Sequence, residues 1–297
     1  MTRFWIAAFF VMTALGPPGA FSGDLHQPVR ILEQPEVECA YPHWSSDGRR
    51  ILFQSDVSGR WQLFVMDEDG SNIVPLTTDS SNNNFPDWSP DNTKIAFVSD
   101  RTGNEEVFVM DTHGKNVKQL TFDKGRDIHP YWTPDGSGIL FNSTRDDTSA
   151  FEIYQMKSDG DSVRRLSKSS DDESCARLSP AMDKMVYLKN NMFGLDDVFL
   201  MDMKDRSETN LTRTPTMDGW PCWTPDGNRI IFSAIEDTSY KLFIYDLAAR
   251  SLTKLTDPPR MYDDGRANVS ADGKKVVFNR QINGRKNTIG IYTLPLD

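Results

Sequence analysis

The chain has 297 residues, of which 38% are hydrophobic and 26% are charged, so it is long enough to bury a large core. Asp and Glu outnumber Lys and Arg by 43 to 33, which gives a formal net charge of −10. Surfaces that bind nucleic acid need an excess of basic residues to neutralise phosphates. The composition therefore argues against a nucleic-acid partner and is compatible with a cationic partner or a metal ion.

The first predicted element is a secretory signal at residues 1–22. Arg3 supplies a positive charge, residues 4–15 are apolar, and small residues dominate 16–22. The apolar stretch is shorter than the roughly 20 residues that a membrane-spanning helix needs. We expect residues 23–297 to be exported to the periplasm or out of the cell, and not to span a membrane once the signal is cleaved.

The rest of the chain repeats a phrase close to Pro-x-Trp-Ser/Thr-Pro-Asp-Gly, four times in clear form and twice in degenerate form. Each copy is followed by two short apolar runs, and all but the last end in Leu-Thr or Leu-Ser. Short runs bounded by Asp-Gly and Pro indicate strands joined by tight turns. We call the Trp position of the phrase the key position. It falls every 44 to 46 residues, at Trp44, Trp88, Trp132, Leu178, Trp223 and Val269.

Four short strands in such a period predict one propeller blade per copy, and hence an all-β, six-bladed β-propeller of four-stranded antiparallel blades. The last copy stops before its Leu-Thr strand. Residues 29–33 precede Trp44 at the offset that the outer strand of another blade has from Trp132, so we expect this segment to complete the last blade. Residues 23–297 then form one domain. Its predicted blade cores are 40–77, 84–121, 128–167, 174–212, 219–256 and 265–294 plus 28–33.

Catalytic motifs are missing from the sequence. It contains no Gly-x-Ser-x-Gly, no His-Glu-x-x-His, no phosphate-binding Gly-rich loop and no Cys-x-x-Cys. Cys39, Cys175 and Cys222 lie at unequal distances before their key positions, which favours free thiols, with a Cys175–Cys222 disulfide as the alternative. These observations favour a binding protein without enzymatic activity.

A polar row lies five residues before the key positions. Because equivalent ends of the inner strands converge on the propeller axis, we expect this row to form a partial acidic ring at one mouth of the central channel. Its carboxylates are candidate ligands for a divalent cation such as calcium. The alternative is the ordinary polar composition of turns that precede strands. The row consists of Cys39, Asn83, Asp127, Glu173, Asp218 and Asp264.

Aromatic and basic residues follow the row toward the key positions. An acidic rim over aromatic groups suits a cationic or amphipathic peptide, or a sugar. Two His residues from different blades are candidates for sharing a metal, with a polar or packing role as the alternative. The predicted ligand-binding residues are Asn83, Asp127, Glu173, Asp218, Asp264, His43, His129, Tyr131, Arg177, Trp220 and Arg266.

The repeat resembles the WD40-like Pro-Asp-Gly repeat of the TolB propeller family, most clearly at residues 88–91, Trp-Ser-Pro-Asp, and 132–136, Trp-Thr-Pro-Asp-Gly. The resemblance implies a six-bladed propeller in an exported binding protein. TolB is a periplasmic part of the Tol-Pal envelope system and docks a lipoprotein partner and peptide segments on its propeller. The α/β domain that precedes the propeller in TolB is not expected here, because strand signals begin directly after the predicted signal.

Related repeats occur in oligogalacturonate lyases, whose metal site depends on a His cluster, and in prolyl-oligopeptidase-like peptidases. Because catalytic motifs are missing and the repeat resembles that of TolB, we expect a monomeric binding protein that recognises a protein or peptide at the channel mouth. The alternative is a carbohydrate-active enzyme, a polysaccharide lyase or glycoside hydrolase, with His43, His129, Tyr131 or Arg177 in the same pocket.

Overall fold

The computed structural model describes residues 27–33, 37–146, 149–167, 171–191, 193–282 and 288–296. Within these ranges the chain forms 24 strands in six four-stranded antiparallel sheets, so the predicted all-β, six-bladed propeller is confirmed. The predicted signal at residues 1–22 lies outside the described residues. Within the described ranges, no helix has the length and apolar character needed to cross a membrane.

Each blade runs from an inner strand to an outer one. Blade 1 contains β2 (Cys39–Trp44), β3 (Arg50–Ser55), β4 (Gln62–Asp67) and β5 (Val74–Pro75). Blade 2 contains β6 (Asn83–Trp88), β7 (Lys94–Ser99), β8 (Glu106–Asp111) and β9 (Lys118–Gln119). Blade 3 contains β10 (Asp127–Trp132), β11 (Gly138–Ser143), β12 (Glu152–Lys157) and β13 (Arg164–Arg165).

The other three blades follow the same order. Blade 4 contains β14 (Glu173–Leu178), β15 (Lys184–Asn190), β16 (Asp196–Asp202) and β17 (Glu208–Asn210). Blade 5 contains β18 (Asp218–Trp223), β19 (Arg229–Glu236), β20 (Ser239–Asp246) and β21 (Ser251–Lys254). Blade 6 contains β22 (Tyr262–Val269), β23 (Lys275–Ile282) and β24 (Thr288–Pro295), and its outer strand is β1 (Val29–Leu32).

The N-terminal strand closes the ring, as predicted. β1 pairs antiparallel with β24, with Val29 opposite Thr293 and Leu32 opposite Ile291. The side chain of Leu32 is buried in a cluster that also contains Trp44 of blade 1 and Val277 of blade 6. The strand therefore protects the edge of the last sheet and also contributes to the packing between the first and last blades.

Hydroxyl groups explain two of the repeated sequence signals. The Ser or Thr after each key position accepts a hydrogen bond from the backbone N–H five residues later, as Thr133 Oγ1 does from Gly138 N at 2.9 Å. The Thr or Ser of each Leu-Thr or Leu-Ser pair accepts one from the third strand, as Thr121 Oγ1 does from Val107 N at 2.9 Å. The hydroxyl after the key position therefore stabilises a turn, and the hydroxyl of the closing pair stabilises the end of a strand.

The repeated Trp residues pack between blades. Trp88 is buried with Leu52 of blade 1 and Phe97 of its own blade. Its indole N–H donates to the backbone carbonyl of His43 in the preceding blade, with an N···O distance of 3.3 Å. Trp223 donates in the same way to the carbonyl of Arg177 at 3.0 Å. A Trp at this position thus contributes apolar area, and Trp88 and Trp223 add an interblade hydrogen bond.

Replacing Leu32 tests whether β1 fastens the ring. We expect Leu32→Ala to lower the free energy of unfolding by about 2–3 kcal/mol, because it opens a cavity between blades 6 and 1. The matched control is Val29→Ala in the same strand, at a side chain that is 59% exposed. This control should change the free energy of unfolding by less than about 0.5 kcal/mol. Urea unfolding followed by Trp fluorescence measures both. Equal effects of the two variants would contradict the predicted role of the buried position.

Candidate functional site

Every inner strand bulges at the same place. The register between the inner and second strands shifts in all six blades, for example between Ile128 and Tyr131 in blade 3. The residue three before each key position has a positive φ, which is uncommon for bulky side chains. A bulge turns side chains away from the regular alternation of a strand. The six residues and their φ values are Tyr41 (52°), Phe85 (52°), His129 (51°), Cys175 (54°), Trp220 (49°) and Arg266 (55°).

The bulge residues meet across the channel and form what we call the inner layer. The ring of Phe85 lies 4.9 Å from that of Tyr41 and 4.2 Å from that of His129, measured between centroids. The Arg266 guanidinium carbon lies 4.8 Å from the ring centroid of Tyr41 and 4.5 Å from that of Trp220. Because these five residues come from five blades, their contacts show that the side chains converge near the axis.

The residues one before the key positions form a second group, the outer layer. His43 Nδ1 lies 2.9 Å from Asp87 Oδ1, and His43 Nε2 lies 3.3 Å from Arg177 Nη2. The Arg177 guanidinium carbon lies 4.0 Å from the ring centroid of Tyr131. These four residues and Asn268 line a cavity of about 380 Å³.

The cavity opens at the end of the channel where the key positions lie, which we call the Trp-side mouth. Its rim is apolar and is formed by residues of the repeated phrase. The sequence prediction did not include this rim, although the repeat itself is the signal that locates it. The rim residues are Trp44, Trp88, Trp132, Trp223, Pro90, Pro134, Pro180 and Pro225.

Hydrogen bonds assign the tautomer of His43. Asp87 accepts the Trp132 backbone N–H at 2.8 Å through Oδ2, so its Oδ1 is the acceptor that faces His43 Nδ1–H. Nε2 is then free to accept an N–H of Arg177. Burial lowers the pKa of His43, and the hydrogen bond to Asp87 opposes that shift. A neutral imidazole therefore links the carboxylate of Asp87 to the guanidinium of Arg177.

His129 is also neutral. Burial lowers its pKa to about 3, and the charges of Arg266 and Arg177 act in the same direction. Its Nε2 lies 3.5 Å from the hydroxyl oxygen of Tyr41 and its Nδ1 3.8 Å from the sulfur of Cys175. The two predicted His residues occupy different layers of the channel and contact different partners.

The predicted acidic row has a different environment from the open rim that we expected. Its members are at most 2% exposed, and several pair with a basic residue of their own blade. Arg145 Nη2 donates to Asp127 Oδ2 at 2.8 Å, and Lys189 Nζ lies 3.3 Å from Glu173 Oε1. The row thus ties inner strands to second strands inside the blades.

The other row members follow the same arrangement with two exceptions, Asp218 and Cys39, the second of which contacts the hydroxyl of Ser55. Arg280 contacts both oxygens of Asp264, at 2.6 and 2.8 Å. Arg101 donates to Asn83 Oδ1 at 2.9 Å. Asp218 contacts only hydroxyl groups such as that of Thr214, and burial raises its pKa to about 7. In these four blades a basic residue within or just after the second strand is the sequence signal for this pairing.

The cation candidates Asp127, Glu173, Asp218 and Asp264 do not come together. Among the described residues, no group of three or more His, Cys, Asp or Glu side chains is arranged to hold a metal ion. The physical reason is that the row members belong to separate blades, and basic side chains occupy the coordination positions of three of the four carboxylates.

The three Cys residues are buried thiols that form no disulfide among the described residues, in agreement with the favoured state. Burial raises the pKa of Cys39 and of Cys222 to about 11, and that of Cys175 to about 12. The thiolate is the reactive form, so these raised pKa values indicate structural side chains.

Comparison with known proteins supports the resemblance read from the repeats. Residues 79–196 match a family model described as the TolB beta propeller domain. TolB from Acinetobacter baumannii superposes with a TM-score of 0.66 at 22% identity, over 87% of this chain and 63% of that one, so this chain spans less than two thirds of its length. The resemblance to TolB propellers is confirmed.

Two further structures have similar architecture. A putative TolB from Agrobacterium tumefaciens superposes with a TM-score of 0.68 at 18% identity, over 88% of this chain and 91% of that chain. An oligogalacturonate lyase in complex with manganese superposes with a TM-score of 0.62 at 11% identity, over 92% and 98% of the two chains. At these identities the likeness shows the fold alone.

A double-mutant cycle tests whether the polar row is structural. We expect Arg145→Gln to lower the free energy of unfolding by about 3 kcal/mol, because it leaves the buried carboxylate of Asp127 without its cation. Adding Asp127→Asn removes that charge and should restore at least half of the loss. Chemical denaturation of the two single variants and the double variant gives the coupling energy. Strictly additive effects would contradict the pairing.

The raised pKa of Asp218 predicts a pH-dependent stability. In the folded protein the carboxyl of Asp218 stays protonated up to about pH 7, whereas in the unfolded chain it loses its proton near its ordinary pKa of 3.8. The contribution of Asp218 to the free energy of unfolding is therefore fully present below about pH 4 and is lost as the pH rises through 7.

We expect Asp218→Asn to raise the free energy of unfolding by about 1–2 kcal/mol at pH 8, and by much less at pH 4. The control Asp161→Asn, at an exposed position, should have no such pH-dependent effect. Urea titrations at the two pH values measure both variants. A gain of the same size at both pH values would argue against a perturbed carboxyl.

Proposed function

We propose that this TolB-like β-propeller is an exported binding protein, and that it takes a segment of a protein or peptide into the cavity at the Trp-side mouth. The observation that carries the proposal is the cavity of about 380 Å³, which combines an apolar rim of Trp and Pro residues with a polar floor. Binding sites commonly have this combination, since apolar walls supply contact area and a few polar groups orient the ligand.

The architecture supports recognition by a preformed surface. The lining residues come from all six blades and lie on inner strands or on the tight turns that follow them. Side chains held by paired strands lose little freedom when a ligand binds, which favours affinity. His43, Tyr131 and Arg177 are the predicted residues that line this cavity, and Asp87 and Asn268 join them.

The predicted signal at residues 1–22 and the resemblance to TolB support an exported location, in the periplasm or outside the cell. We infer that the ring acts as a monomer, because β1 closes it within one chain. The remaining predicted residues have other roles in this proposal. His129, Trp220 and Arg266 support the floor from the inner layer, and the polar row stabilises the blades.

Site-directed photo-crosslinking tests the proposal and identifies the mouth in use. A benzophenone amino acid replaces Ser46, an exposed rim residue at the cavity. The matched control replaces Lys124, which is exposed in the turn before β10 at the opposite end of the channel. We expect one defined adduct from an envelope extract at position 46 and none at 124, detected by gel shift and mass spectrometry.

Two outcomes would overturn the proposed function. Adducts at position 124 alone would move recognition to the other end of the channel. Release of unsaturated or reducing sugar ends from a polysaccharide panel, lost in a variant of the cavity, would establish the carbohydrate-active enzyme that the sequence left as the alternative.

A further inference from the structure

The cavity contains a cation that no carboxylate neutralises directly. Among the residues that the structure describes, Arg177 has no ion pair, and its side-chain contacts are with neutral groups: the imidazole of His43 at 3.3 Å and the side chain of Tyr131. A guanidinium group carries five N–H donors, so most of its donor capacity remains for a ligand. Its flat face rests on the ring of Tyr131, which holds the group in place.

Asp87 cannot supply the missing partner. It is the single carboxylate among the residues that line the cavity. Its Oδ1 faces His43, and its Oδ2 accepts the backbone N–H of Trp132. Both oxygens are therefore engaged, and the imidazole separates the carboxylate from the guanidinium. Asp87 thus orients Arg177 through His43.

A second arginine increases the positive charge below the cavity. Arg266 in the inner layer lies between the rings of Tyr41 and Trp220. Its side-chain hydrogen bond goes to the neutral amide of Gln281, and the neighbouring Asp264 is paired with Arg280. The axis of a protein with a net charge of −10 is therefore locally cationic.

From this arrangement we propose that the cavity binds the carboxylate group of a peptide through Arg177. Guanidinium and carboxylate match each other in shape and form paired N–H···O bonds, which an ammonium group cannot do. The Trp and Pro rim then contacts the residues that flank the carboxylate. This inference rests on the proposed peptide-binding function, and it replaces the cationic ligand suggested by the acidic row with an anionic one.

Three pools of random hexapeptides serve as probes. All are N-acetylated. The first has a central Glu and an amidated C-terminus, the second has Gln in place of Glu, and the third has Gln with a free C-terminal carboxylate. The full chain is immobilised, and mass spectrometry measures retention. We expect the Glu pool, the free-carboxylate pool or both to be retained about tenfold more than the neutral pool. The difference between the first and third pools identifies the source of the carboxylate.

Variants link the preference to one side chain. Arg177→Gln should abolish the tenfold preference. The control Arg164→Gln removes the same charge at an exposed site on β13 and should keep it. Arg177→Lys keeps the charge without the paired geometry, and we expect it to retain only a small part of the preference. Thermal melts verify that each variant is folded, and the comparison of pools on the unsubstituted protein is decisive even if Arg177→Gln does not fold.

The outcomes separate this inference from the function on which it rests. Equal retention of all three pools overturns the carboxylate inference and leaves peptide binding in place. Retention of no pool above bare resin overturns both. Trigalacturonate, tested in parallel, also carries carboxylates. If it binds in an Arg177-dependent manner and the peptides do not, the ligand is a carbohydrate and the inference is overturned.

Discussion

The repeated bulge of the inner strands determines which side chains point into the central channel. Each blade leaves its regular register at the same point and places one residue in the left-handed region of the backbone. Such a conformation is costly for bulky side chains and persists where surrounding contacts hold it. Pairing on both sides of the bulge and aromatic contacts across the axis provide that support. The ring therefore carries six variable positions at its centre on an otherwise repetitive framework.

Charge is handled differently inside the blades and on the axis. Within the blades, buried carboxylates such as Asp127 and Asp264 are paired with a basic residue of the next strand. On the axis, the arginines rest on aromatic rings and contact neutral groups instead. In blades 3, 4 and 6 the integrity of the sheet depends on such a pair, because removing one partner would leave a buried charge. Among the described residues, Arg177 lines the cavity without an ion pair, which is why we propose recognition there.

The sequence determined the fold because neighbouring residues within each repeat specify its strands and turns. A Trp-Ser/Thr-Pro-Asp turn followed by two short apolar runs specifies strands and turns without long-range information. The offset of residues 29–33 from Trp44 was also sufficient to predict that this segment pairs with the last blade. The same alignment of copies gave the two columns of residues that line the channel, and the structure brings His43, Tyr131 and Arg177 of these columns together in one cavity.

The tertiary structure decided which charged side chains are paired and where the cavity lies. In the sequence Asp127 and Asp264 look like free acids before a strand, and only the folded hairpin shows that Arg145 and Arg280 reach them. In the same way, the sequence does not show that Arg177 has no carboxylate partner, since its neighbours come from blades that are distant along the chain. Side-chain pairing across a bulged sheet depends on register and burial, and a one-dimensional repeat determines neither.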